Sequence, residues 1–147
     1  MDQTAATIRE FAFAGDATFT VTSRKTGTRF TYRVEALSGT DDAAGKWFVG
    51  VLTGPDNRHD YTYAGMVFEQ PDGSHKPTQT RNSKLPACAP SWMGFVWLVA
   101  QLNADADISR SAELDPMGKC GRCGRELTDP ESIRTGLGPV CREKVRG

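Results

Sequence analysis

Three cysteines in the C-terminal part of the chain are of a type and spacing that state a chemistry. Cys120 and Cys123 stand two residues apart with Gly124 behind them, and Cys141 follows after a long gap. Gly138-Pro139 places Cys141 in the first turn of a helix, because proline is favoured at the first helical position. A tight CxxC turn combined with a cysteine at a helix start is how small zinc modules bring thiolates onto one tetrahedral ion. Between the ligands, Thr128-x-x-Glu131, with Pro130 after Asp129, reads as the capped start of a short helix that keeps them in register.

Three thiolates leave a tetrahedral ion one ligand short. Cys88 offers a fourth thiolate, His75 an imidazole, and Asp115 or Asp129 a carboxylate. A water in that place would make the site open, as catalytic zinc sites are. The expected set is Cys120, Cys123 and Cys141, with Cys88 as the first choice to complete it. Zinc is favoured over an iron–sulfur cluster because the gap before Cys141 is long and no fourth cysteine lies near, although three cysteines also suit a cluster. A redox dithiol would need a βαβ context that this sequence lacks.

Arg122, Arg125, Arg134 and Arg142, with Lys144 and Arg146, crowd the same stretch. Residues 118–147 carry seven basic side chains against four acidic ones, within a chain whose eighteen basic and eighteen acidic side chains balance. These arginines are the candidate contacts to nucleic acid or another partner; the alternative is that Glu126, Asp129, Glu131 and Glu143 pair with some of them. Gly136-Leu137-Gly138 lacks the Lys-Ser/Thr of a phosphate-binding loop, so nucleotide hydrolysis is not expected.

Outside this region the densest polar cluster is Asp56-Asn57-Arg58-His59-Asp60. It is a candidate ligand loop, with His59 as acid/base, or simply a turn, since Gly-Pro-Asp-Asn is turn chemistry. Tyr32, Trp47, Tyr61 and Tyr63 could stack bases on an exposed sheet face, but strand aromatics are expected in the core first. No HExxH or GxSxG is present, and neither histidine nor Cys88 begins the ligand arm of a zinc deaminase. Non-enzymatic binding is therefore expected ahead of catalysis.

The elements that must position these residues are readable from periodicity. Residues 4–14 form a helix or extended lead-in with Ile8, Phe11 and Phe13 packed inward. From Ala17 the period becomes two, and a turn at Lys25-Thr26-Gly27 makes a β-hairpin whose threonine-rich face is expected in solvent. A Gly/Asp/Ala-rich loop over 38–46 follows, in which Asp41-Asp42 face water. Trp47 to Leu52, apolar on both faces, reads as a central strand, Tyr61 to Gln70 as another strand, and His75 to Thr80 as a short fifth. Pro90 opens a helix on which Trp92, Phe95, Val96 and Val99 recur at helical spacing, with Trp97, Leu98 and Leu102 widening the apolar face.

The fold expected is α+β: an antiparallel meander of four or five strands with one packed helix, plus a small C-terminal zinc-binding module. Residues 1–103 form the body, 104–117 an acidic linker and 118–147 the module. The linker's low apolar content makes the body separable from the module. No run of eighteen apolar residues predicts a membrane span, and the polar first residues predict no signal peptide. Cysteines in a CxxC then imply a reducing, cytoplasmic setting, the host's cytoplasm if the source is viral.

The string CGRCGRELTDPESIRTGLGPVC resembles a small uncharacterised zinc-ribbon-like domain family, in the order CxxCGR, LTDPES, GxGPxC. That family occurs in phage and actinobacterial proteins, sometimes beside DNA-associated domains. The resemblance covers about the last thirty residues, and Gly54-Pro55-Asp56-Asn57 and Asp60-Tyr61-x-Tyr63-x-Gly65 echo small phage proteins that carry the same tail. It implies a metal-binding tail and a viral or mobile-element source. The function expected is a phage-type zinc-binding protein that binds nucleic acid or a protein partner. The alternative is a phage counter-defence factor that inhibits a host nuclease complex or sequesters a nucleotide signal.

Overall fold

The computed structural model of the chain describes residues 1–37 and 44–146. The alternation from Ala17 onward becomes strand β1 (Asp16–Ser23), paired antiparallel with β2 (Arg29–Ala36). Ala17 lies opposite Val34 and Phe19 opposite Tyr32, all four buried. The meander continues through β3 (Lys46–Leu52), β4 (Tyr61–Glu69) and β5 (His75–Thr78). A sixth strand, β6 (Ala112–Asp115), joins the free side of β1, so the sheet runs β5-β4-β3-β2-β1-β6. Of the loop expected over 38–46, residues 38–43, with Asp41-Asp42, lie outside the described residues.

Strand β6 changes the reading of residues 104–117 as a linker. Leu114 pairs with Val21 and Ala112 with Ser23, and Ala112, Leu114 and Ile108 are buried. Glu113 and Asp115, two of the segment's four acidic residues, are the exposed alternate positions of this strand. A strand with two apolar positions is too short for periodicity to reveal.

The core lies between one face of the sheet and two helices, α1 (Ala5–Ala12) and α2 (Pro90–Asn103). Thr4 caps α1, its hydroxyl accepting from the Thr7 amide at 3.4 Å, and Ile8 and Phe11 are fully buried. Helix α2 starts at Pro90, as its sequence predicts. Trp92 crosses the sheet at Gly65, where a Cβ would stand 2.7 Å from the indole, and Tyr32 Oη donates to the Ser91 carbonyl at 2.7 Å.

Two local expectations, on α2 and on the hairpin, are corrected. Val96 and Trp97 lie at the surface, because Trp92, Phe95, Leu98, Val99 and Leu102 already define the buried stripe. Strand β3 is central, between β2 and β4, as its apolar run indicates; Trp47, Val49 and Val51 point inward, while Phe48 on the other side is 46% exposed. The threonine face of the hairpin is partly covered. Thr20 is buried, shares a 2.6 Å hydrogen bond with Thr31 and donates to Met117 Sδ at 3.3 Å.

His75 belongs to this core. Its ring stacks on Phe13 with centroids 3.9 Å apart and meets Trp47 at 5.3 Å, while Asn103 clasps its backbone through bonds of 2.9 and 2.7 Å. Burial lowers its pKa below the ordinary 6.5, with Glu69 opposing and Arg9 reinforcing the shift. The fold thus prefers the neutral imidazole, and below pH 6.5 the unfolded chain takes up the proton first. This contribution to stability is fully present above pH 6.5 and is lost as pH falls toward the depressed folded value. Melting temperatures measured between about pH 7 and 5 should fall more steeply for the wild-type chain than for His75→Phe at equal metal load. Equal slopes would refute this. Among the described residues no helix is long and apolar enough to cross a membrane.

Candidate metal centre

The C-terminal module is built on two glycine-dependent turns and two short helices, α3 (Pro130–Thr135) and α4 (Pro139–Arg146). The Cys120–Cys123 turn closes through the Gly124 amide donating to the Cys120 carbonyl at 2.9 Å, with Gly124 at φ +75°. That left-handed conformation disfavours side chains, so the glycine after the second cysteine is a backbone requirement. Helix α3 is capped by Asp129, whose Oδ2 accepts from the Ser132 amide at 3.0 Å, with Pro130 at its start. The cap is therefore Asp129 rather than Thr128. Helix α3 ends at Gly136, also left-handed at φ +76°. Leu137 is then fully buried, and Pro139 starts α4 with Cys141 in its first turn, as the sequence indicates.

These turns bring the sulfurs of Cys120, Cys123 and Cys141 within 4.8 Å of one another. Cys120 and Cys141 are buried and Cys123 is exposed, so the triad lies in the wall of a surface cleft of about 200 Å³. Backbone amides are already aimed at one sulfur: the N–H groups of Arg122 and Gly138 each point at Cys120 Sγ from 3.4 Å. Burial pushes the Cys120 thiol up, but hydrogen bonds from Gly138, Cys123 and Arg122 outweigh it and hold its pKa below the ordinary value. Burial raises that of Cys123, and its hydrogen bonds with Cys120 and Cys141 add to the rise. Cys120 thus gives up its proton more readily than an ordinary cysteine, and the thiolate is the form that ligates metals. Three sulfur donors at this spacing suit a thiophilic ion.

Among the described residues no histidine, carboxylate or further cysteine joins this group. Cys88, expected as the fourth ligand, stands exposed on the segment before α2. His75 is stacked in the core. Asp115 closes a turn by accepting from the Met117 amide at 3.0 Å. Asp129 alone of the proposed alternatives lines the triad's cleft.

The module is seated on the N-terminal part of the chain. The Asp16 amide donates to the Gly121 carbonyl at 2.7 Å, and the Asp2 amide to that of Arg134 at 2.9 Å. Phe11 reaches into it so closely that a Cβ on Gly121 or Gly136 would stand 2.7 or 2.5 Å from its ring.

Three of the four candidate arginines are engaged inside the module. Arg122 points a guanidinium nitrogen at Cys141 Sγ from 3.6 Å. Arg134 grips Glu131 through two hydrogen bonds, at 2.6 and 3.1 Å, and Arg142 approaches the same carboxylate at 3.3 Å. Arg125 is exposed.

The cluster at 56–60 forms the turn between β3 and β4, and its polar groups satisfy one another. Asp56 Oδ2 meets His59 Nδ1 at 2.8 Å, Asp56 Oδ1 accepts from the Arg58 amide at 2.8 Å, and Asp60 Oδ2 from the Asp56 amide at 2.8 Å. The hydrogen bond with His59 is the main reason the Asp56 carboxyl sits below its usual pKa. The His59 side chain is 79% exposed, and Asn57 is exposed too.

Residues 111–146 match a family of unknown function, DUF6011, so the matched unit takes in β6 as well as the cysteine module. No curated protein and no solved structure matches the chain.

Proposed function

We propose that this chain is a non-enzymatic zinc-binding protein in which one ion on Cys120, Cys123 and Cys141 holds the turns and helices of the C-terminal module together, and that its partner is a nucleic acid. The mutual approach of the three sulfurs to within 4.8 Å carries the zinc reading. Zinc suits a donor set of thiolates with no redox role and a tetrahedral preference. The adjoining helices and the Phe11 contact make the ion a staple rather than a reaction centre. Of the candidate side chains for the fourth position only Asp129 lines the same cleft; its carboxylate lies outside the sulfur group with Oδ2 on the Ser132 amide, so we assign it to the fourth position through its other oxygen.

Elemental analysis of protein purified without chelator should give about one zinc per chain. Cys88→Ser should keep it. Asp129→Asn retains the helix cap, since asparagine caps as well as aspartate, but should weaken zinc binding by about tenfold or more. Iron in place of zinc, or no metal at all, would overturn the zinc reading. Loss of zinc from Cys88→Ser would overturn the assignment of Asp129. For the partner, binding that weakens steeply with salt supports nucleic acid; salt-insensitive one-to-one capture of a protein refutes it.

A further inference from the structure

The face of the sheet turned away from α1 and α2 is a second surface with a chemistry of its own. On β3, Lys46, Phe48 and Gly50 alternate with the buried Trp47, Val49 and Val51. Register then sets Phe68 beside Lys46, Met66 beside Phe48, and both Tyr63 and Arg33 beside Gly50. Lys76 follows on β5, opposite Phe68. The result is a patch of aromatic rings on neighbouring strands, interleaved with cations.

Phe48 is the most open of these rings, with Tyr61, Tyr63 and Phe68 half-buried around it. Phe48 is 46% exposed and meets Tyr63 edge-on, with centroids 6.0 Å apart. Gly50 leaves room for Tyr61, since a Cβ there would come 3.2 Å from Tyr61 Cβ. The Arg33 guanidinium lies 4.5 Å over the Tyr61 ring. Together with Arg58 and His59 from the β3–β4 turn, these side chains line a shallow cleft of about 330 Å³. Within it the Tyr61 hydroxyl is shielded from solvent yet has no hydrogen-bond partner among the described residues, while Arg33 pairs with Glu35 through Nε at 3.6 Å and donates to the Arg58 carbonyl at 3.2 Å.

We infer that this face is a binding platform for single-stranded nucleic acid. The inference rests on the nucleic-acid reading above and places the contact on the sheet rather than on the module's arginines. Unpaired bases stack on aromatic side chains whatever their sequence, while cations beside the rings track the phosphates. Charge favours this occupant. Lys46, Arg58 and Lys76 surround the rings, and Glu35, the only carboxylate on the outward strand positions of β2 to β5 among the described residues, lines the cleft and is paired with Arg33 at 3.6 Å. Asp56 and Asp60 in the adjoining turn keep their negative charge but are turned into hydrogen bonds of that turn, so the cations next to the rings are Lys46, Lys76 and Arg58. A duplex keeps its base faces stacked inside and cannot use exposed rings in this way.

The test is fluorescence anisotropy on the zinc-loaded full chain at low salt, with a labelled single-stranded DNA, an RNA of the same length and the DNA duplex. Single strands should bind at least about tenfold more tightly than the duplex. Phe48→Ala should weaken single-strand binding by about tenfold across different sequences. Lys46→Glu with Lys76→Glu should weaken it too and lower the salt slope by about 0.7 log units for each phosphate no longer neutralised. Met93→Ala, on the exposed side of α2, should bind as the wild type does. Unchanged zinc content and melting temperature in each variant exclude misfolding as the cause. If the wild type binds but the sheet variants bind equally well, or the duplex is preferred, the platform is wrong while the nucleic-acid reading stands. If the zinc-loaded chain binds no nucleic acid, both fall and the zinc staple alone remains.

Discussion

Replacing Cys141 with serine is expected to strip the metal from the protein and to release the C-terminal module. Cys141 is one of two buried sulfurs in a triad whose members lie within 4.8 Å of one another. A serine hydroxyl is a hard, protonated donor and cannot stand in for a thiolate. Removing a mere supporting group around a metal site costs about 10–100-fold in affinity, and removing a ligand should cost more. Structural zinc sites couple ligation to folding, so the variant should lose stability along with metal. Leu137 and the short helices α3 and α4 have few apolar partners besides the cysteines themselves. The expected readout is near-zero zinc, a lower melting temperature and rapid hydrogen exchange over residues 118–146. Full zinc occupancy in Cys141→Ser would show that the triad is not the site.

The second large effect is expected at the joint between module and body. Phe11 is fully buried, packs edge-on against Phe19 with centroids 6.0 Å apart, and fits against Gly121 and Gly136 so tightly that neither has room for a methyl group. Phe11→Ala should therefore cost about 3–5 kcal/mol, from lost burial and an unfilled cavity. That is a large fraction of the about 5–15 kcal/mol by which a domain is stable. Removing residues 118–147 should do comparable damage. It bares the same ring and cuts the backbone bonds from Asp16 to Gly121 and from Asp2 to Arg134. The truncated chain is expected to melt early or to aggregate. A truncated body that melts cooperatively near the wild-type temperature would instead support the separable body that a linker at 104–117 implies.

The features legible in the amino-acid order were local ones. The CxxC turn, the glycine behind it and the proline before the third cysteine are each fixed by backbone rules that act over a few residues. The hairpin and the start of α2 at Pro90 followed from period and capping in the same way. Features that depend on distant partners emerged only on packing. Residues 112–115 became a strand because β1 offered an unpaired edge, not because four residues carry a strand signal. Cys88 and His75 had the right donor atoms for the metal, but the fold placed one on the surface and the other in an aromatic stack. Strand aromatics were expected in the core, and Tyr32 and Trp47 did go inward, but Tyr61 and Tyr63 went to the outer face beside Phe48. Strand alternation fixes which residues share a face. Which face is covered depends on where the helices come to lie, and that is settled only when the whole chain is packed.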